Sequence, residues 1–299
     1  MVTPISLCVC IDVDRDAPFP ISGYAHAISL ALHSEPQVHL DPVKSARYEA
    51  TLTGLEKILD LASDLAIDLT LFVEGRFALC NPDYVHTKKA DFQNHEIGLH
   101  GLDHEDFSAE DTGVLISQPR GLIQEGKSAV EEIFDTNIIG FRAPYMRKGE
   151  ISSFLLHQLG FQYDSSTYVD LDASLSLPTI KQKNELREIP VIQLPKDEKY
   201  RGMVFYLWPL FEGKRNYSEY TSAIRDICVA NNETYEVSTL PLSLNLHPWH
   251  LCYRIKDKKY LMMDEVESNV TSLKRIFEEL VNMQNQGLIQ IKKMNDASL

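Results

Sequence analysis

The chain has no block of lysines and arginines. Its 29 basic side chains are outnumbered by 43 acidic ones, for a net charge of −14. Nucleic-acid binding draws on clustered positive charge, so that class of partner is excluded. No run of about 18 apolar residues occurs, which excludes a conventional transmembrane helix. The N-terminal "MVTPISLCVCIDVDRD" has neither the basic segment nor the long apolar stretch of a secretion leader. It reads as the first strand of the fold. Internal repeats and low-complexity linkers are missing too, which favours one domain over residues 1–299. There are only five cysteines, an odd number with no CxxC pair, so neither a disulfide framework nor a cysteine metal site is expected. Cys8 and Cys10 alternate along one strand face and read as buried, reduced thiols. That chemistry favours a cytoplasmic protein.

What is present is ample apolar material, 44% of the residues, in an alternating pattern. "ISLCVCIDV" (Ile5 to Val13) is apolar on both faces, as a buried parallel strand is. Helical spacing follows over Ser45 to Leu65. Strand-like runs come at Ile67 to Gly75, at "EIGLH" and at Asn137 to Pro144. Helices are expected over Gln118 to Asp135, Glu150 to Gly160 and Asp264 to Gly287. "FQYDSS", "REIPVIQL", "LPLSLNLH" and "LIQIKKM" read as further strands. About eight strands alternating with helices argue for a parallel α/β fold, as a barrel or an open sheet. Two stretches break the alternation, 15–43 and 195–216. Long insertions in a domain are commonly functional loops, so both are expected to wall a cleft. The aromatic run Met203 to Phe211 fits a cleft wall or a subunit interface, which leaves homo-oligomerisation open.

Ionisable residues recur where these strands end. Asp12 and Asp14 close the first. His100 follows "IGL", with His104 four residues on. Arg142 and Tyr145 follow "GF", Asp164 sits in "YDSS", and His247 follows "LNL", with His250 near. Singly, each has a structural reading: a cap for the aspartates, a polar loop for the histidine pair, an ion pair for Arg142, a strand terminus for His247. In α/β barrels, however, strand C-termini form the active face. Two imidazoles and a carboxylate make a catalytic metal shell with an open position for water. A second carboxylate can act as base, and a histidine opposite can act as acid. Such a site hydrolyses amides or esters.

In order and type these motifs resemble the polysaccharide deacetylase family (carbohydrate esterase family 4, the NodB-homology domain), from about Ser6 to the last strand. "IDVDRD" is similar to its first motif, "HGLDH" to the second, "RAPY" to the third, "YDSS" in part to the fourth and "LHPWH" to the last. The valine between the aspartates and Gly101 resemble the branch of Helicobacter-type peptidoglycan deacetylase and lipid-linked aminosugar deformylases. The resemblance implies a distorted (β/α)7-like barrel. It implies that Asp14, His100 and His104 hold a divalent metal, with zinc the best match and Co2+, Fe2+ or Mn2+ also suited. It implies Asp12 as general base, Arg142 as its partner, the Tyr145 backbone N–H as oxyanion donor, His247 as general acid and Asp164 as tuner of His247. Asp103 and Glu105 are expected to support the ligands, and His95, His157 and His250 to be structural or to line the cleft. The activity implied is removal of an acyl group from an N-acylated amino sugar. Without a leader, an intracellular glycan precursor is the expected substrate. The alternatives are a cyclic amide or imide hydrolase on the same fold, which an aromatic, closed cleft would favour, and a non-catalytic carbohydrate-binding homologue.

Overall fold

All nine residues of the strand Ile5–Val13 are buried. A segment apolar on both faces cannot leave either face in water, so it becomes the centre of a layered structure. In the computed structural model, which describes residues 4–30, 41–232 and 239–297, this strand (β1) anchors a nine-stranded sheet. The other members, in chain order, are β2 (Leu69–Val73), β3 (Glu96–Leu99), β4 (Gly140–Phe141), β5 (Tyr163–Asp164), β6 (Lys181–Lys183), β7 (Leu186–Glu188), β8 (Leu242–Leu246) and β9 (Ile289–Ile291). Their spatial order is β8-β1-β2-β3-β4-β5-β7-β6, with β9 also paired to β1. Every pairing is parallel except the β7–β6 hairpin. The sheet curls into the half-barrel expected from the resemblance.

Helices cover the outer face. Those over Glu49–Asp64, Pro119–Phe134, Ser153–Gln158 and Met263–Asn285 match the expected ones within a few residues. Pro119 sits at the first helical position, where its missing N–H costs nothing. The 31–40 part of the first insertion lies outside the described residues. Its described part forms a small hairpin, Pro18–Pro20 against Ala27–Ser29.

The second insertion does more than wall a cleft. Its 203–207 stretch makes isolated bridges to Gln193 on one side and to Asn245 of β8 on the other. The Phe205 N–H donates to the Ile192 carbonyl at 3.3 Å, and Asn245 of β8 donates to Phe205 at 2.8 Å and accepts from Leu207 at 2.8 Å. Among the described residues no helix is long and apolar enough to cross a membrane.

Two glycines set the approach of the active face. A Cβ on Gly54 would lie 2.0 Å from the Pro248 carbonyl oxygen, so the helix Glu49–Asp64 packs backbone to backbone against the turn after β8. Gly101 has φ +73°, and a Cβ there would meet the Glu105 carboxylate at 2.6 Å. Only glycine gives the loop both that conformation and that space.

Candidate active site

Parallel strands put all their C-terminal ends on one rim. Asp12 and Asp14 stand at the end of β1, His100 follows β3, Arg142 follows β4, Asp164 ends β5 and His247 follows β8. Asp12, His100, Tyr145 and His247 line a single cleft of about 220 Å³. Asp14, His104 and Arg142 are fully buried at its base.

Asp14, His100 and His104 form a compact trio. Each offers one ligand atom, and the three atoms lie within 4.8 Å of one another. The His104 Nε2 is 3.0 Å from Asp14 Oδ2. Neither ring nitrogen of His104 is in hydrogen-bond geometry with a partner, and His100 Nε2 is likewise orphaned. The other His100 nitrogen, Nδ1, meets the Arg142 carbonyl at 2.9 Å. That contact orients the ring and leaves Nε2 as the free ligand atom. Buried polar atoms are almost always partnered, so one unpartnered nitrogen on each of two buried rings beside a carboxylate calls for an occupant. A divalent cation fits this donor set. Burial depresses the His100 pKa to about 4, so the ring is neutral and its lone pair is available. Asp14 also accepts from the Trp249 indole at 2.9 Å and faces His247 Nδ1 at 3.0 Å. Burial opposes its charge, but His247 and His104 overcome that cost and hold the carboxyl well below the usual range.

Asp12 is the second carboxylate. Arg142 donates to its Oδ1 at 2.8 Å and the Tyr206 hydroxyl to its Oδ2 at 2.7 Å. Burial pushes its pKa up, but Arg142, the two histidines His100 and His247 and the Tyr206 hydroxyl together outweigh it and hold the carboxyl below its usual range. Arg142 is itself fixed by the Ser165 hydroxyl at 3.0 Å and lies 4.2 Å over the Phe72 ring. His247 is stacked on Tyr206 at 5.8 Å; burial lowers its pKa, but the charge and hydrogen bond of Asp14, with the Asp12 charge, together raise it.

Tyr145 and Met146 both have positive φ, 55° and 60°. The sharp turn after "RAP" presents Tyr145 to the cleft, with its ring 4.5 Å from that of His104. Asp164 is placed differently from the expectation that it tunes His247. It accepts from Lys148 at 2.9 Å and from the Ser166 hydroxyl, which in turn accepts from the Ala143 N–H at 2.8 Å. The carboxylate that His247 meets is Asp14. Asp103 and Glu105 face away from the cleft. Asp103 pairs with Arg76 and Arg15, and Glu105 accepts from the Leu102 and Asp103 N–H groups. His250 is buried against Trp249, with ring centroids 3.7 Å apart.

Sequence reasoning missed Tyr206 and Trp249 as partners of the two aspartates. The aromatic stretch around Tyr206 reads only as a cleft wall or a subunit interface, and Trp249 stands inside the "LHPWH" motif without a role. Neither signal names the carboxylate it reaches.

The chain thus combines a curled α/β sheet with a buried Asp–His–His trio at its C-terminal rim. Residues 50–163 match the model of the polysaccharide deacetylase family, which bears out the family resemblance over that segment. The matched segment holds "HGLDH" and "RAPY", while Asp12, Asp14 and His247 flank it. A peptidoglycan deacetylase-like protein of Gibberella zeae is 29% identical over 157 residues, 47% of this chain and 44% of that protein. The alignment thus spans less than half of the relative. A probable polysaccharide deacetylase from Pseudomonas aeruginosa PAO1 superposes with a TM-score of 0.60 at 18% identity, covering 98% of this chain and 89% of the other. Puue allantoinase superposes at 0.63 and 18%, with the same coverage. At such identity the likeness is one of fold.

Proposed function

We propose that the protein is a metal-dependent hydrolase that removes an acyl group from an N-acylated amino sugar, with an intracellular glycan precursor as substrate and the cytoplasm as its compartment. The observation that carries this reading is the trio of Asp14, His100 and His104, buried and with orphaned nitrogens, beside an Asp12 held ionised by Arg142. Asp14, His100 and His104 would hold the cation, zinc by preference, with cobalt, iron or manganese suited to the same donors. When bound, the cation supplies Lewis acidity, polarising the amide carbonyl and lowering the pKa of a water toward neutrality.

The chain's own residues do the rest. Asp12 takes the proton of the attacking water, and Arg142 and Tyr206 hold its carboxylate in place. The Tyr145 N–H donates to the carbonyl oxygen as negative charge develops there. His247, kept protonated by its carboxylate neighbour, gives a proton to the departing amine. Asp164 contributes by position: through Ser166 it holds the Ala143 backbone that leads into Tyr145. The branch resembling Helicobacter-type deacetylases and aminosugar deformylases rests on "DVD" and "HGxxH" alone.

A second reading, a cyclic amide or imide hydrolase, is favoured by one observation. The cleft is small and ringed by Tyr145, Met146, Tyr168, Tyr206 and Trp208, which suits a flat heterocycle. The test is direct. Purified protein, loaded with zinc or cobalt, is assayed against N-acetyl and N-formyl amino sugars and against cyclic imides. Turnover of the sugars supports the first reading, turnover of imides alone the second. Metal-loaded protein inert toward all of them would make the non-catalytic homologue the better description.

A further inference from the structure

A pocket of about 290 Å³ adjoins the catalytic cleft and shares Val204 and Trp208 with it. Its other lining residues include Arg201, Lys214 and Arg215. Any ligand longer than the cleft and extending toward this side crosses the Trp208 face and arrives among these cations. Trp208 is a large aromatic left 39% exposed at that junction. Lys214 holds its ammonium 4.6 Å over the Trp208 ring and makes no ion pair among the described residues.

The two arginines share a single carboxylate, Glu219. Arg215 is otherwise anchored on the carbonyls of Tyr200 at 2.8 Å and Arg201 at 3.3 Å, which fixes its guanidinium. Three cations therefore face one anion, in a chain whose net charge is −14. The bulk field of such a protein repels anions, so a local cationic surplus beside the cleft stands against that field. It has an evident use only if something negative binds there.

We propose that this pocket is a subsite for an anionic substituent of the substrate, a phosphate or carboxylate group joined to the sugar whose amide lies in the catalytic cleft. The proposal deepens the reading of the cleft as an amide-hydrolase site and rests on it. Lys214, without an ion pair among the described residues, supplies the free charge, Arg201 and Arg215 add positive charge that Glu219 only partly offsets, and Trp208 gives the flat surface between the two sites. An acidic protein would thereby distinguish a charged sugar from its neutral parent.

The experiment compares kcat/KM for N-acetylglucosamine, its 1-phosphate and its carboxyalkyl ether, in the wild type and in Lys214→Ala and Arg201→Gln. Calorimetry follows binding of the same three sugars. The expected result is a preference for one anionic sugar over the neutral one, falling roughly tenfold in each variant, mostly through KM. Added salt should shrink the preference. Whichever analogue shows it, phosphate or carboxylate, identifies the group. Equal handling of charged and neutral sugars by the wild type, or equal losses for both in the variants, would overturn the subsite. If nothing is hydrolysed, the hydrolase reading fails, and calorimetry still decides: a tenfold weaker affinity for the anionic sugar in Lys214→Ala keeps the subsite, and unchanged affinity removes it.

Discussion

Two clusters of buried ionisable side chains lie back to back on the same segments. Asp14 and His104 belong to the Asp–His–His trio, and their chain neighbours Arg15 and Asp103 belong to the other cluster. Both sets are shielded from water. In the second, every charge is answered. Arg15 meets Glu74 with its Nε at 2.9 Å and its backbone N–H at 2.8 Å, and also reaches Asp103 at 3.2 Å. Arg76 grips Asp103 with two bonds of 2.7 and 2.9 Å, and the Tyr48 hydroxyl adds a contact to Glu74 at 3.2 Å. In the first, three imidazole nitrogens have no hydrogen-bond partner. The difference separates a scaffold from a site. A satisfied cluster holds two loops in register, whereas an unsatisfied one is built for something that arrives later.

The sharpest way to break this comparison is to remove a ligand. Asp14→Asn should lose the metal, read by elemental analysis, and slow hydrolysis roughly a thousandfold, since cation chemistry accounts for several kcal/mol of barrier. Full metal content in that variant would end the ligand assignment. The scaffold side answers to Arg15→Met, which strands the buried Glu74 and leaves Asp103 to Arg76 alone. Unfolding in urea should show a loss of about 3–5 kcal/mol. A loss near zero would mean that the two clusters do not differ in kind.

Tyr206→Phe tests a finer point. It takes one donor from Asp12 and leaves Arg142. We expect kcat to fall roughly tenfold with metal content intact. The acid limb of the pH–rate profile should move to higher pH, because the Asp12 carboxylate loses a group that stabilised its charge. An unmoved limb would detach Tyr206 from the base.

The smallest effect concerns Glu105, whose carboxyl burial raises from about 4.5 to about 7. The folded state binds this proton more tightly than the unfolded state. Its contribution is therefore complete below pH 4.5 and is lost as pH climbs through 7. Metal-free wild type should lose more stability than Glu105→Gln between pH 5 and pH 8, measured as urea midpoints. Parallel midpoints would show that the three backbone N–H groups around Glu105 fully offset its burial and the neighbouring Asp103 charge.

Much of the site was legible in the chain because its signals are short-range. His100 and His104 are four residues apart in one loop, and Asp12 and Asp14 alternate on one strand. Strand C-termini are legible as well, since the run "ISLCVCIDV" has one plausible fate and its end is marked by charge. Apart from Arg142, which the motif resemblance paired with Asp12, the partners of these residues were not legible. Tyr206 reaches Asp12 across 194 residues and Trp249 reaches Asp14 across 235. Asp164 stood at the right strand end, yet Lys148 and Ser166 claim its carboxylate. Arg15 stood in plain view within "IDVDRD" and had no reading at all, because a guanidinium's role depends on which carboxylates surround it.

By itself the sequence determined which residues could do chemistry and on which rim of the sheet they would stand, since hydrophobic alternation sets the strands and parallel strands all end on one side. Only the tertiary structure decided which buried charges are matched and which remain open. The curl of the sheet brings β8 against β1 and lays the 203–207 stretch beside β8, and the pairing of charges follows from distances of about 3 Å that local sequence does not encode.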